Sequence, residues 1–433
     1  MEPLKIVKMF ECSQKEREML FQRSEVDVDS VLLTAIKIVS DVRREGDQAI
    51  MDLTEKFDGV KLTPGGLQVS EGEMRVAFQQ AGEKTVEAIE KAADAIRMFH
   101  QEQLPKEWMR QFSPGIIAGQ VVRPLDVVGV YVPGGMARYP SSLLMAVIPA
   151  KVAGVRRVIV CTPPGKDGKV DPAVLAAAGV AKVDAIYKVG GAQAIAAMAY
   201  GTETVPKVDK IVGPGNVFVV AAKQVVAPSV CVDFAAGPSE ILIIADESAN
   251  PSFIAADLLS QAEHGTGNEA SVLVTTSEDL AAKVRETARK MFQESPRWQL
   301  AIEALTKYGR IVVVRSMDEA AEFANRYAPE HIELMVERPK ELLGKIKNAG
   351  SIFLGSYSPV AAGDFAVGPN HILPTGGAAR CCSGLSVLDF VKLPTVQELS
   401  KEGLRQVADV VKRLAEVEGL PGHAKSVEER LKG

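Results

Sequence analysis

Cysteine is scarce and poorly placed for any covalent scaffold. Only five occur in 433 residues: Cys12, Cys161, Cys231, Cys381 and Cys382. The number is odd and no pair has CxxC spacing, which argues against both a disulfide framework and a thiolate zinc site. The adjacent Cys381 and Cys382 read most simply as small, semi-buried residues. Long apolar runs are missing too. Every window of 18 residues contains a charged side chain, which leaves no candidate membrane span. The opening MEPLKIVKMFECSQKERE lacks the cationic stretch and apolar core of an export signal, so a cytoplasmic location is the expectation. The net charge of −5 is spread without long blocks of one sign. It gives no electrostatic footprint for nucleic acid, and no polyanion partner is expected.

What is present is an ordinary globular composition, 47% hydrophobic and 24% charged, in a chain long enough for two or more packed units. From about residue 127, short β-rich runs alternate with helical patterns: VVGVYV, RVIVCTPP, AIYKVGG and KIVGPGN are each followed by an apolar helical segment. A second series starts near residue 240 with EILIIADES, ASVLVTT and RIVVVRS, and ends with HIELMV and SIFLGS. Such alternation predicts two similar parallel sheets with crossover helices, joined by a hinge. The 25–110 region reads as mostly helical and amphipathic. Beyond residue 380 the tail is too small for its own core and must dock on its own globule or on a second subunit.

The dinucleotide fingerprint GxGxxG is absent from every strand end. In its place stand PGG (133–135), VGG (189–191) and GPG (213–215). Turns at the carboxyl ends of parallel strands face ligands, yet glycine also serves any tight strand-to-helix turn. Both readings stand.

Histidine is the other scarce residue, with five in all. His100, in RMFHQEQ, is expected at the surface. The rest lie at element ends beside other polar groups. In LLSQAEHG, Gln261 and His264 share a face near a helix end, either to bind a metal or to cap a buried helix. In YAPEHIEL, Glu330 and His331 open a short strand, where alternation would let them flank a substrate from two sides. Asp364 and His371 bracket the loop of GDFAVGPNHILP, and Glu418 and His423 end the last long helix. Taken together, Gln261, His264, Asp364 and His423 supply two imidazoles and two oxygens, a set suited to zinc or a similar divalent ion.

The ordered motifs YVPGG, PSSLLMAVIPAKVAGV, VGGAQAIAAMAYGTE, KVDKIVGPGN, AGPSEILIIADE, AADLLSQAEH, YAPEHIEL and GPNHILPTGG resemble those of the L-histidinol dehydrogenases. REGDQAI, KFDG and EGLPGH extend the similarity to nearly the full chain. The resemblance implies an α/β fold of two Rossmann-like parallel-sheet domains with small extended terminal segments. It implies an NAD- and zinc-dependent homodimer with shared active sites, oxidising an alcohol through an aldehyde to a carboxylate in histidine biosynthesis. Residues 1–24 would be an N-terminal extension, 25–128 plus 240–380 the first domain, 129–239 the NAD-side domain, and 381–433 a dimerisation tail. Position by position, Gln261, His264, Asp364 and His423 would hold zinc, the last from the neighbouring subunit. Ser239, His331, His371 and Glu418 would line the substrate site, and Tyr131, Gln193 and Asn216 would contact NAD. One departure stands out: after QAEH the family commonly has an Asp-Pro pair, whereas this chain has GTGNEA at 265–270. Paralogues acting on other small alcohols, such as an anionic diol, also vary there, and a catalytically silent metal or nucleotide binder is the alternative from another class.

Alcohol oxidation needs a base for the hydroxyl proton, a role that falls to His331. The aldehyde must then be hydrated, which assigns water activation to Glu330. An aldehyde dehydrogenase would use a cysteine nucleophile instead, and no cysteine here has a matching context. Zinc would orient the substrate's imidazole and amine.

Overall fold

The structure is a computed structural model that describes residues 3–24, 27–134, 138–233, 237–264, 267–292 and 298–432. Two parallel sheets organise it. The five-stranded sheet runs Ala185–Lys188, Arg157–Thr162, Val127–Tyr131, Lys210–Val212, Cys231–Val232 across its width. The six-stranded sheet runs Lys5–Lys8, Arg310–Val313, Ala270–Thr275, Glu240–Ala245, His331–Met335, Ser351–Leu354. Within each domain's own series the earliest strand lies centrally, the next two build to one side and the last two to the other. This is the doubly wound order whose reversal leaves a crevice beside the first strand. Strands such as EILIIA and ASVLVT are buried along their whole length because helices cover both faces. The expected pair of Rossmann-like sheets is what the chain forms.

The N-terminal helices go to a different sheet from the one expected. Asp29–Glu45, Asp47–Asp58, Glu71–Ala81 and Glu83–Gln101 pack on the five-stranded sheet: Ile38, Val42 and Ile50 join the cluster of Ile159 and Tyr187, and Ile89, Ala93 and Ile96 join that of Val128 and Val160. Grouping 25–128 with 240–380 therefore needs correction. The reason was readable. The helices PAVLAAAGV and GAQAIAAMAY are apolar all round, so a second layer has to shield them from water. Helices of the six-stranded sheet, such as Glu278–Met291 with Leu280, Ala281, Val284 and Ala288 buried, have a polar outer face and need no such cover. Within the N-terminal extension, residues 5–8 add an edge strand beside Arg310–Val313.

His100 is also corrected, from surface to core. It is fully buried, with Nδ1 2.8 Å from the Ile96 carbonyl and Nε2 3.4 Å from Asn370 Nδ2. Asn370 also donates to the Met145 carbonyl at 2.6 Å, so the pair pins the loop that carries His371.

A third, antiparallel sheet, Thr395–Leu399, Ile116–Gln120 and Trp108–Ser113, was not anticipated. It docks the tail on its own chain. Beyond it, helices Lys401–Val417 and Pro421–Leu431 pack on each other. Val410, Leu414, Val417 and Leu420 remain exposed. No helix among the described residues is long and apolar enough to cross a membrane.

Candidate active site

The helix Met317–Tyr327 ends at Ala328, whose φ of 51° and following Pro329 stop it. The chain then delivers Glu330 and His331 to the amino end of the strand His331–Met335, beside the amino end of Glu240–Ala245. Both side chains are held by one neighbour. Glu330 Oε2 accepts the Glu240 N–H at 2.8 Å, and His331 Nδ1 lies 3.0 Å from the Glu240 carbonyl. A carbonyl only accepts, so Nδ1 carries the hydrogen and Nε2 is left as the proton-exchanging atom. That Nε2 is buried, has no hydrogen-bond partner among the described residues, and faces Asp364 Oδ1 at 3.7 Å. The expectation that Glu330 and His331 flank opposite faces does not hold. Glu330 precedes the strand, so strand alternation does not apply to it, and its Oε2 sits 3.4 Å from His331 Nδ1.

Burial works against a charge on His331, but Glu330 and Asp364 outweigh it and raise the imidazole well above its ordinary value. Burial also pushes Asp364 up. The neighbouring His331 imidazole, with smaller contributions from His371 and His264, brings it below the usual carboxylate value. Asp364 sits in a π-helical turn, Gly363–Val367, a widened geometry frequent at functional positions. Its carbonyl accepts from His371 Nδ1 at 2.9 Å, and His371 Nε2 lies 3.3 Å from Ser142 Oγ. Burial lowers the pKa of His371 and so favours its neutral form. Because Ser142 belongs to the helix Pro140–Val152, this histidine ties the two domains together.

Gln261 lies buried in the last turn of Pro251–Ala262, and His264 follows just past the helix end. Gln261, His264 and Asp364 can thus supply one amide oxygen, one imidazole and one carboxylate, a set one donor short of a tetrahedral zinc site. Among the described residues, no group of three or more His, Cys, Asp and Glu side chains encloses a metal position. Glu418 and His423 stand exposed on the tail, and among the described residues no hydrogen bond or ion pair joins them to this cluster. Ser239 immediately precedes Glu240, and its carbonyl accepts from Ala270 N at 3.1 Å. In the departure at 265–270, residues 265 and 266 lie outside the described residues.

The glycine turns at 189–191 and 213–215 line the carboxyl edge of the five-stranded sheet, whereas residue 135 of the first turn lies outside the described residues. Tyr131, buried at the end of its strand, accepts the Gly191 N–H at 3.1 Å, and burial pushes its phenol up to about 12. Gln193 is buried in the first turn of the helix Gly191–Tyr200, and Asn216 caps Val217–Val226 through the Phe218 and Val219 amides. Gly213 has φ 117°, and a Cβ there would lie 2.1 Å from the Tyr131 carbonyl. Only glycine fits. Buried Lys223 and Asp233 pair with each other and hold the Gly213 carbonyl and N–H.

Three charged residues near the site escaped the sequence reading. Glu240 and Arg23 form a buried ion pair at 2.7 Å. Glu333, one pleat beyond His331, is raised well above its ordinary value by burial and by the Asp257 carboxyl. The available signal was a lone carboxylate in each of two apolar runs, EILIIA and HIELM.

The comparisons with known proteins agree along the chain. The family model for histidinol dehydrogenase matches residues 21–431. The histidinol dehydrogenase of Methanothermobacter thermautotrophicus is 52% identical over 427 residues, covering 99% of this chain and all (100%) of that one. That of Clostridium acetobutylicum is 48% identical over 419 residues, covering 97% of this chain and 96% of the relative. The crystal structure of histidinol dehydrogenase from Elizabethkingia anophelis superposes with a TM-score of 0.94 at 39% identity, covering 100% of this chain and 99% of that one. With its sequence matched end to end and its fold superposed throughout, this chain belongs to the histidinol dehydrogenase family of oxidoreductases.

Proposed function

We propose that the protein oxidises L-histidinol to L-histidine through L-histidinaldehyde, transferring a hydride to NAD in each of two steps, as a cytoplasmic enzyme of histidine biosynthesis. The observation that carries this reading is the His331 imidazole: its Nδ1 is fixed by a carbonyl, its Nε2 is buried without a hydrogen-bond partner among the described residues, and Glu330 and Asp364 lie beside it. In the first step the neutral form of His331, the minor form while Glu330 and Asp364 raise the imidazole, takes the hydroxyl proton at Nε2 as hydride leaves the carbinol carbon. In the second, Glu330 takes a proton from the water that adds to the aldehyde, and the hydrate then loses hydride. Tyr131, Gln193 and Asn216 are the residues proposed to contact NAD, along the glycine-lined carboxyl edge.

Zinc fits the donors present. Gln261, His264 and Asp364 of one chain, with His423 of a second copy, would complete a tetrahedral set, and the ion would orient the substrate's imidazole and amine. Ser239, His371 and Glu418 would line the substrate. The exposed apolar residues of the tail support its burial against a second copy. The deciding experiment counts NADH formed with L-histidinol. Two equivalents per substrate consumed are expected, and one or none would reject the reaction. An anionic diol, the competing substrate, should be a poor one because Glu418 would repel it.

A further inference from the structure

Glu240 opens an apolar strand yet is only 3% exposed. Its carboxylate takes Arg23 Nη1 at 2.7 Å and the Gly376 N–H at 3.1 Å. Its main chain has a separate task, since the N–H and carbonyl that hold Glu330 and His331 are both its own. Arg23 makes a second attachment. Its Nη2 donates to the Tyr327 carbonyl, and its guanidinium carbon lies 3.9 Å from the centroid of the Tyr327 ring. Tyr327 ends the helix that runs directly into Ala328, Pro329, Glu330 and His331. Arg23 is itself held in place, because Arg310 donates to the carbonyls of Met19 and Gln22 at 2.7 and 2.9 Å.

We propose that Arg23 and Glu240 are positioning residues for the reacting pair: the guanidinium clamps the strand carrying Glu240 to the turn carrying Glu330 and His331, and the Glu240 main chain then sets both side chains. This rests on the reading of Glu330 and His331 given above. A fork of two nitrogens is required, because one has to reach a carboxylate while the other reaches a carbonyl. Lysine offers a single nitrogen and cannot reproduce both contacts with the same stacking.

The test uses the full-length enzyme supplied with zinc and NAD. R23M is expected to lower kcat by roughly tenfold or more, since displacements on the order of 1 Å at reacting groups cost on the order of a hundredfold. KM for L-histidinol should stay within about threefold. E330Q should be impaired by itself, and the double variant R23M/E330Q should lose at least about threefold less than the product of the single losses. R23K keeps the charge and covers the case in which R23M does not fold. It should retain the wild-type melting temperature within a few degrees while losing roughly threefold in kcat. Unchanged kcat in R23K or in folded R23M, a loss confined to KM, or single losses that simply multiply would overturn the proposal. Full activity of both E330Q and H331A would instead remove the reading on which it rests.

Discussion

In the five-stranded sheet, the carboxyl edge carries glycine turns, a buried tyrosine and main-chain amides. In the six-stranded sheet, the amino edge carries Glu240, Glu330 and His331, with Asp364 close by. Both sheets wind in the same order. The His371–Ser142 contact shows that the carboxyl edge of one abuts the cluster at the amino edge of the other. The difference teaches that topology alone does not say which end of a sheet carries a cluster of ionisable groups. Neutral, glycine-lined turns suit an extended anionic cofactor approached by backbone, whereas proton transfer needs ionisable groups held by fixed main-chain partners.

The largest expected effect separates the two edges. His331→Ala should lower turnover on the order of 10²- to 10⁴-fold, the usual contribution of a general base, while leaving NAD affinity, measured by titration, nearly unchanged. Glu330→Gln should impair aldehyde oxidation more than alcohol oxidation, and equal loss in both half-reactions would remove its assignment to water. Next comes the tail. Mixing inactive His264→Ala and His423→Ala proteins under subunit exchange should restore activity, with about a quarter of wild type as the statistical ceiling for symmetric dimers. Verified mixed dimers that stay inactive would return the tail to its own chain.

A smaller effect is expected at the glycine edge. In Gly213→Ala the added Cβ collides with the Tyr131 carbonyl, so a loss of about 1–3 kcal/mol in stability and weaker NAD binding are expected. An unchanged melting temperature would show that the turn can relax. The smallest prediction concerns His100. Burial lowers its pKa below the ordinary 6.5, so the unfolded chain takes up the proton first as pH falls. The stability it contributes is full above pH 6.5 and is lost as pH drops from there toward the folded value. Thermal melts of His100→Gln should show a shallower decline than wild type between about pH 7 and 5.

Much of this was legible in the chain itself. Strand–glycine–helix periodicity marked both parallel sheets, because strands buried on two faces must be apolar throughout. The same logic applied to PAVLAAAGV and GAQAIAAMAY would have sent the N-terminal helices to the five-stranded sheet. Local chemistry marked the histidines at element ends, and the resemblance assigned their roles. Composition argued against a cysteine scaffold and a basic nucleic-acid surface without any fold. Only the tertiary structure decided that His100 is a core residue, that Glu330 and His331 face one another, and that residue 23 reaches residue 240. Those outcomes depend on contacts between segments far apart in the chain. Periodicity reports the face a residue turns toward the core, whereas the identity of its neighbour there is fixed by how the elements pack.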